Sequence, residues 1–299
     1  MGKISEDTLL NWIKPPSDTE ETKLSNSERM VKDALDSNET TKAISFEVFG
    51  QGSYANDTNV RLNSDIDINV RYTGGFYFNL PKDTTEADVG IADFPGASLT
   101  FSEYKNHIEQ ALVDKFGRDS VVRKNKCITI LGNSYRVETD VVPTWNFRRY
   151  SKDGSYILGA KFISDTSDSV VNYPLQHIEN GKSKNSNTSR RFKRLTRIFR
   201  KLRYKMVDDG ESVNENITSF LLECLVWNVP NNIFNDYNNW SDRLKYSIIE
   251  LYNKTKEEST CKEWGEVSEL LYLFYSGRKW TREDVNIYLV KLWNYLELE

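Results

Sequence analysis

The sequence contains little histidine and little cysteine. Its 299 residues include two histidines and three cysteines, and the cysteines lie far apart with no C-x-x-C pair. Zinc sites draw on both residue types, and a disulfide framework needs closely patterned cysteines, so neither is indicated. A catalytic triad built on histidine has equally little material. We therefore expect buried free thiols, and we expect any catalysis to rest on carboxylates.

A long apolar run is also missing. The most apolar stretch, Phe220 to Val229, is too short to cross a bilayer and contains Glu223, which favours a core helix. The first residues, MGKISEDT, lack the apolar segment of a signal peptide, and Glu6 stands where a myristoylation motif needs serine or threonine. We expect a globular protein of the cytoplasm that does not use a membrane.

The net charge of −4 conceals one strongly basic segment. Nine of the sixteen residues from Arg190 to Lys205 are lysine or arginine, and none is acidic. Basic residues recur every four positions there, which on a helix forms one stripe and suits an anionic partner. The stripe consists of Lys193, Arg197, Lys201 and Lys205. The alternative is a solvated face, or one that binds nucleic acid without specificity.

Hydrophobic periodicity divides the chain into a mixed first part and a helical second part. Thr100 and Glu103 predict a capping box for a helix that runs through Phe116 and ends at Gly117. Residues 73–99 have no clear period and predict a surface insertion. Alternation predicts strands near 44–48, 65–72, 127–131 and 135–142, the last ended by Pro143. Helices are predicted near 188–208, 215–228, 240–257, 262–275 and 281–297.

Acidic residues on the predicted strands carry the strongest chemical signal. Asp65 and Asp67 are two apart on one strand, so their carboxylates project to the same side and repel each other without a cation. Such oxygen ligands suit Mg²⁺, and Asp140 on a later strand would complete a two-metal site. Gly52 and Ser53 precede the pair in a loop whose N–H groups and hydroxyl can cradle a triphosphate.

The aspartates have two other interpretations. A D-x-D pair often arises by chance in turns, where it has only a structural role. An EF-hand loop starting at Asp65 fails, because its sixth position is Val70 rather than glycine and its twelfth is Phe76 rather than glutamate. The combination of strand, Gly-Ser loop and later carboxylate favours catalysis.

Five stretches of the chain resemble a known family. FGQGSYANDTNVRLNSDIDINV and VETDVVP resemble the polymerase-β-type nucleotidyltransferases, in particular the bacterial CD-NTases, the cGAS/DncV-like enzymes of CBASS antiphage systems. NYPLQHIENGKSKN, RRFKRLTRIFRKLRYKM and FLLECLVWNVPN resemble clade E of that family. The resemblance implies an α+β fold, with a polymerase-β-like core of mixed sheet and helices and a C-terminal helical lobe. We expect a catalytic lobe over residues 1–170, N-terminal helix included, and a helical lobe closing the nucleotide cleft over 171–299.

The resemblance also implies an activity. Nucleoside triphosphates, ATP and GTP among them, would be condensed into a cyclic dinucleotide or trinucleotide, and we predict a dinucleotide. Asp65, Asp67 and Asp140 would hold two Mg²⁺ ions, or Mn²⁺ in their place. One ion activates the attacking 3′-hydroxyl and the other neutralises the triphosphate, while Asp140 can also serve as general base. A separate effector protein would bind the product, and no nucleic acid is required.

Three further residues receive roles only through the resemblance. Lys201 matches the lysine that contacts donor phosphates in the family, and Ser219 matches the serine paired with it. Asn172 lies in a segment resembling the one in which clade E enzymes recognise the base, although a turn asparagine explains it equally well. Two alternatives remain for the whole chain. One is a transferase of the same fold that makes linear oligonucleotides or modifies another acceptor, and the other is an inactive module that binds nucleotides or nucleic acid.

Overall fold

The computed structural model describes residues 3–14, 18–60, 66–94, 96–133 and 136–299, with only the backbone described at 18–21. The chain forms two compact units. The sheet unit comprises Ser17–Ala55 and Arg61–Leu175. The helical unit comprises Met1–Pro16, Asn56–Val60 and Gln176–Glu299, so three separate segments of the chain build it.

All seven strands of the described chain lie between Phe46 and Asn172, and only helices and irregular segments with an isolated bridge follow them. The helices are α1 (Glu6–Trp12), α2 (Asp18–Ser37), α3 (Glu39–Lys42), α4 (Gly52–Ala55), α5 (Phe101–Phe116), α6 (Pro174–Asn187), α7 (Arg191–Asp208), α8 (Ser219–Trp227), α9 (Asn231–Asn235), α10 (Trp240–Thr255), α11 (Glu258–Cys261) and α12 (Arg282–Tyr295). The strands are β1 (Phe46–Gln51), β2 (Ile66–Asn79), β3 (Val121–Arg123), β4 (Ile128–Ile130), β5 (Thr139–Tyr150), β6 (Tyr156–Ile163) and β7 (Ser169–Asn172).

One mixed sheet organises the sheet unit. The strand order is β1-β2-β5-β4-β3, and β6 pairs with both β5 and β7. β2 and β5 are parallel neighbours, whereas the remaining pairs are antiparallel. Along its other edge, β5 pairs first with β4 and then with β6. The long strand β5 is therefore the centre of the sheet, and its start lies between β2 and β4.

The apolar side of β2 faces the core of the sheet unit. Ile66, Ile68 and Val70 are fully buried and belong to one hydrophobic cluster with Ile108 and Leu112 of α5. Because side chains alternate along a strand, the intervening residues of β2 project to the opposite side of the sheet. That opposite side carries the polar residues of the candidate site.

Helix α5 confirms the predicted capping box. The backbone N–H of Glu103 donates to the Thr100 hydroxyl over 3.2 Å, and the N–H of Thr100 donates to the Glu103 carboxylate over 2.8 Å. Gly117 ends the helix with a φ of 82°, and its N–H donates to the carbonyl of Val113 over 2.8 Å. The local sequence was sufficient here because every partner lies within one turn.

Two predicted boundaries in the sheet are wrong. β5 does not end at Pro143 but runs on to Tyr150. The pairing of β4 with β5 ends at Val141, and the pairing of β6 with β5 begins at Trp145. Pro143 lies between these two positions, where neither β4 nor β6 pairs with β5. Its missing N–H therefore removes no hydrogen bond to either strand. Residues 73–79, expected in an insertion, continue β2 beyond an irregularity between Tyr72 and Phe76.

The helical unit has its own apolar core. Phe192, Leu195, Phe199 and Leu202 give α7 a fully buried face, and they belong to one cluster with the apolar residues of α8, α10 and α12. The helix predicted near 262–275 is wrong, since that segment is irregular apart from a bridge between Gly265 and Tyr272. The predicted buried thiols are confirmed for Cys127, Cys224 and Cys261.

Helix α1 belongs to the helical unit. Leu9 of α1 is buried in the core of that unit, and the Glu6 carboxylate accepts the N–H groups of Trp240 and Ser241 over 2.7 and 2.8 Å at the start of α10. The sequence predicts a helix over residues 27–41 as the N-terminal helix of the catalytic lobe, and α2 and α3 of the sheet unit occupy that range. The sheet unit ends at Leu175, close to the expected division at residue 170. None of the described helices is both long and apolar enough to span a membrane.

Candidate active site

Two aspartates lie side by side on the polar face of the sheet. Asp67 near the start of β2 pairs in register with Asp140 near the start of β5. Residues in register on neighbouring strands project to the same side, so the parallel pairing of β2 and β5 brings these two carboxylates together. The third predicted ligand, Asp65, lies outside the described residues. Among the residues that are described, no group of three histidine, cysteine or acidic side chains forms a metal cluster.

Gly52 lies against the Asp67 carboxylate. A Cβ atom placed on Gly52 would be 2.2 Å from Asp67 Oδ2, and the backbone there has a φ of 68°. Both the close approach and the left-handed conformation require glycine. Ser53 follows in the one-turn helix α4, so the structure brings the predicted Gly-Ser loop to the predicted carboxylate.

Asp140 is held through one of its oxygens. Thr129, its register partner on β4, donates its hydroxyl to Asp140 Oδ1, and Lys124 Nζ lies 3.5 Å from the same oxygen. Burial is the largest single influence on Lys124 and would lower its pKa, but the charge and hydrogen bond of Asp140, together with Cys127 and Glu138, outweigh burial and raise that pKa. Both of these contacts reach Oδ1 rather than Oδ2 of the carboxylate.

The turn between β3 and β4, which carries Lys124, is held in place by the buried side chain of Lys105. Lys105 is 2% exposed, and its ammonium donates to the carbonyls of Lys124 and Asn125 over 3.2 and 2.9 Å. It also lies 3.0 Å from Asp165, whose carboxylate accepts two hydrogen bonds from Arg123. Lys124, Thr129 and this anchor carry no signal in the sequence, because only the β3-β4-β5 pairing places them beside Asp140.

Asn69 lies two residues after Asp67 on β2, on the same face of the sheet. Its side chain amide donates to Gln51 over 3.0 Å and its oxygen accepts from the Thr144 hydroxyl over 2.6 Å. Asn69 and Thr144 are almost fully buried. These hydrogen bonds connect β1, β2 and β5 next to the two aspartates. The two-residue alternation that places Asp65 and Asp67 on one face also places Asn69 there.

The residues present fit a divalent cation. Two carboxylates in register on neighbouring strands repel each other unless a cation lies between or beside them. Their oxygens are the ligands that Mg²⁺ prefers, and Gly52 lets the backbone approach Asp67 Oδ2 closely because it has no side chain. Burial and the charge of Asp140 together raise the pKa of the nearby Cys127 thiol to about 11, so it stays neutral and is unsuited to act as a nucleophile.

The helical unit contains the other predicted site residues. Lys201 is half-buried on α7, and Ser219 opens α8 with its hydroxyl 3.3 Å from that of Tyr204, one turn beyond Lys201. The structure thus places Ser219 beside α7, close to the turn that carries Lys201. In the sheet unit, Asn172 is the exposed last residue of β7.

The basic stripe on α7 is not one solvated face. Lys193 and Arg197 are buried, whereas Lys201 and Lys205 are half-buried. Arg200, which lies outside the predicted stripe, is buried as well. The buried arginines donate to backbone carbonyls, so part of the segment has a structural partner within the chain instead of an anionic ligand.

A mixed sheet that sets two aspartates beside a Gly-Ser turn, followed in the chain by a helical unit, defines a nucleotidyltransferase of the polymerase-β type. A family model described as the cGAS/DncV-like nucleotidyltransferase C-terminal helical domain matches residues 179–297. The chain is 66% identical to the cyclic dipyrimidine nucleotide synthase CdnE of Cecembia lonarensis, over 99% of this chain and 100% of that one. The chain belongs to the cGAS/DncV-like nucleotidyltransferase family.

Two further comparisons agree in sequence and in structure. The chain is 39% identical to a cyclic dipurine nucleotide synthase of Elizabethkingia meningoseptica, over 98% of both chains. It superposes with a TM-score of 0.81 and 37% identity on the structure of the Elizabethkingia meningoseptica CdnE cyclic dinucleotide synthase with GTP and Apcpp, covering 98% of this chain and 99% of that one. The predicted family, the α+β fold class and the assignment as an enzyme that uses nucleoside triphosphates are confirmed.

Proposed function

We propose that this enzyme condenses two nucleoside triphosphates into a cyclic dinucleotide and releases two pyrophosphates. The observation that supports it most is the register pair of Asp67 and Asp140 beside Gly52, in a chain 66% identical end to end to a cyclic dinucleotide synthase. Each 3′-hydroxyl attacks the α-phosphorus of the other nucleotide, and two phosphodiester bonds replace two bonds to pyrophosphate. One site suffices, because the linear intermediate can rebind with its ends exchanged.

Two Mg²⁺ ions, which Mn²⁺ can replace, complete the proposed site. Asp65, Asp67 and Asp140 would hold them, and the ions would supply charge neutralisation at the triphosphate and acidify the attacking hydroxyl. Asp140 Oδ2 accepts the proton of that hydroxyl in this scheme, since Thr129 and Lys124 already engage Oδ1.

The phosphates and bases have separate partners in the proposal. The Ser53 hydroxyl and the backbone beside Gly52 bind the triphosphate, together with Lys201 and Ser219 of the helical unit. Asn172 contacts a base. We propose uracil or cytosine as the bases, because the relative named a cyclic dipyrimidine synthase is 66% identical, whereas the dipurine synthase is 39% identical.

The proposed biological setting is antiphage signalling in the cytoplasm. A cyclic dinucleotide lacks terminal phosphates and resists phosphatases, which suits a messenger that must persist until it reaches its receptor. A separate effector protein would bind it. The chain itself would then need no membrane and no nucleic acid.

Product analysis tests the proposal. Purified protein is incubated with Mg²⁺ and all four ribonucleoside triphosphates, singly and in pairs, and the products are treated with phosphatase before mass spectrometry. We expect a phosphatase-resistant cyclic dinucleotide made fastest from UTP and CTP. Products that all lose 5′-phosphates would support the linear-oligonucleotide alternative, and a resistant product made only from purines would refute the base assignment.

A further inference from the structure

A five-residue loop of the catalytic segment is built into the helical unit. Asn56–Val60 follows the Gly-Ser turn and precedes Asp65 and Asp67 in the chain, yet it packs with the C-terminal helices. Thr58 in its centre is fully buried. The loop therefore has its own set of partners, which we call the loop clamp and define as His177, Arg197, Arg200 and Glu223.

Two arginines of α7 hold the backbone of the loop. Arg197 donates to the carbonyl of Asp57 over 2.6 Å and to that of Ile13 over 2.8 Å. Arg200 donates to the carbonyl of Thr58 over 2.6 Å and to its hydroxyl over 2.8 Å. Both arginines are almost fully buried, so these hydrogen bonds are made away from water and fix the path of the loop.

Glu223 completes the clamp from α8. It is 3% exposed within the largely apolar helix α8, and its Oε2 accepts the Thr58 hydroxyl over 3.1 Å. Its Oε1 lies 3.1 Å from His177 Nε2. Burial alone would raise the pKa of Glu223, but His177, Arg200 and Thr58 together hold that pKa below its ordinary value, so the carboxylate is charged at neutral pH.

A buried charged network is a poor way to gain stability. Desolvating the charges costs much of what their attraction returns, and well-packed apolar residues often stabilise a fold as well or better. Such a network does specify one geometry, because leaving any member unpaired is costly. The clamp therefore suits a segment whose position matters more than its contribution to folding.

We propose that the loop clamp is a positioning device for catalysis, with Thr58 as the residue through which it acts. Asn56 is three residues from Ser53, so a fixed loop limits where the phosphate-binding turn can move, and Val60 precedes Asp65 by five residues in the sequence. Arg200 is also the chain neighbour of Lys201. The inference rests on the proposed function, since it assigns a role in that reaction.

The test compares three threonine variants. Thr58→Val removes the hydroxyl bonds to Glu223 and Arg200, whereas Thr58→Ser retains the hydroxyl. Thr255→Val is the matched control, because Thr255 is fully buried in the same unit and donates to the carbonyl of Leu251 over 2.8 Å without contact to the loop. For each variant we would measure kcat, calorimetric affinity for nonhydrolysable UTP and CTP analogues, and hydrogen exchange of residues 56–60.

If the loop clamp positions the site, Thr58→Val should lower kcat much more than it lowers nucleotide affinity. Thr58→Val should lower kcat about tenfold or more, since small displacements of reacting groups cost up to about a hundredfold. Nucleotide affinity should change less than about twofold, because the charged phosphate contacts remain. Hydrogen exchange of residues 56–60 should be faster in Thr58→Val than in the wild type. Thr58→Ser should recover most of kcat, and Thr255→Val should keep both kcat and the exchange rates.

Two outcomes would overturn the inference. One is wild-type kcat in a folded Thr58→Val enzyme, and the other is an equal loss of kcat in Thr255→Val, which would indicate a general effect on folding. If the wild-type enzyme consumes no triphosphate, the proposed function fails. The anchoring of the loop is then tested by hydrogen exchange alone. An exchange rate of residues 56–60 in Thr58→Val equal to that of the wild type would refute the loop clamp.

Discussion

The backbone at Gly52 and the carboxylate of Asp67 are closer than any side chain would allow. We predict that Gly52→Ala lowers turnover by about a hundredfold, because the added methyl group would displace Asp67 and small displacements at a reacting centre have effects of that order. Turnover with Mg²⁺ and thermal unfolding would be measured together.

Gly117→Ala is the control for backbone strain. Gly117 also has a positive φ, of 82°, but nothing lies within 4 Å of a Cβ placed there. Its replacement should cost about 1–3 kcal/mol of stability, because an alanine is strained at this positive φ, and leave turnover intact. Equal turnover in both variants would refute the close contact at Gly52.

Asp140 is the second residue with a testable role. Asp140→Asn should lower kcat by about 10²–10⁴-fold, the usual contribution of a positioned general base, while calorimetry should show nucleotide affinity within a few-fold of wild type. Affinity persists because Asp65 and Asp67 remain for the triphosphate. Glu138→Gln, two residues earlier in the same segment, should be as active as wild type. Near-normal turnover in Asp140→Asn would remove that residue from the site.

Among the elements, the hairpin turn between β3 and β4 depends on Asp165. Hydrogen bonds from Arg123, and to a lesser extent the contacts of Lys105, hold the pKa of Asp165 at about 2, below its ordinary value of 3.8. A carboxyl group whose pKa is lowered on folding stabilises the protein above its unfolded pKa. That stabilisation disappears as the pH falls through the folded pKa.

Thermal unfolding at several pH values tests this dependence. Asp165→Asn should melt at a lower temperature than wild type at pH 5, and the difference should narrow as the pH falls from about 4 towards 2. Asp119→Asn, an exposed residue of the same unit, should show no such narrowing. A difference between Asp165→Asn and wild type that is constant with pH would mean that the charge of Asp165 does not anchor the turn.

For the whole molecule, folding and metal binding should be separable. Each unit has an apolar core, and Asp67 and Asp140 belong to neither cluster. A chelator should therefore abolish turnover without lowering the melting temperature, and Mg²⁺ should restore it. Adding Mg²⁺ and a nonhydrolysable triphosphate should stabilise the protein by about 2.7 kcal/mol at a hundred times Kd. Turnover in excess chelator would refute the metal assignment.

The sequence by itself determined the features whose partners are close in the chain. The capping box of α5 involves residues three apart, and the projection of Asp67 away from Ile66 and Ile68 follows from the two-residue period of a strand. The burial of the cysteines followed from their isolation in the sequence. Asp140 was predicted from its place on a later strand, and the family resemblance supported that assignment, but whether it meets Asp67 depends on a strand far away in the chain.

Only the tertiary structure decided which distant residues meet. Thr129 and Lys124 reach Asp140 because β4 pairs with β5, and β5 continues past Pro143 because neither β4 nor β6 pairs with it there. Arg197 and Arg200 look like part of a phosphate-binding surface in the sequence, yet both are buried against the loop at Asp57 and Thr58. Hydrophobic periodicity records which side of an element is buried, but it does not record what covers that side. A buried arginine needs an acceptor, and its identity depends on packing between segments about 140 residues apart.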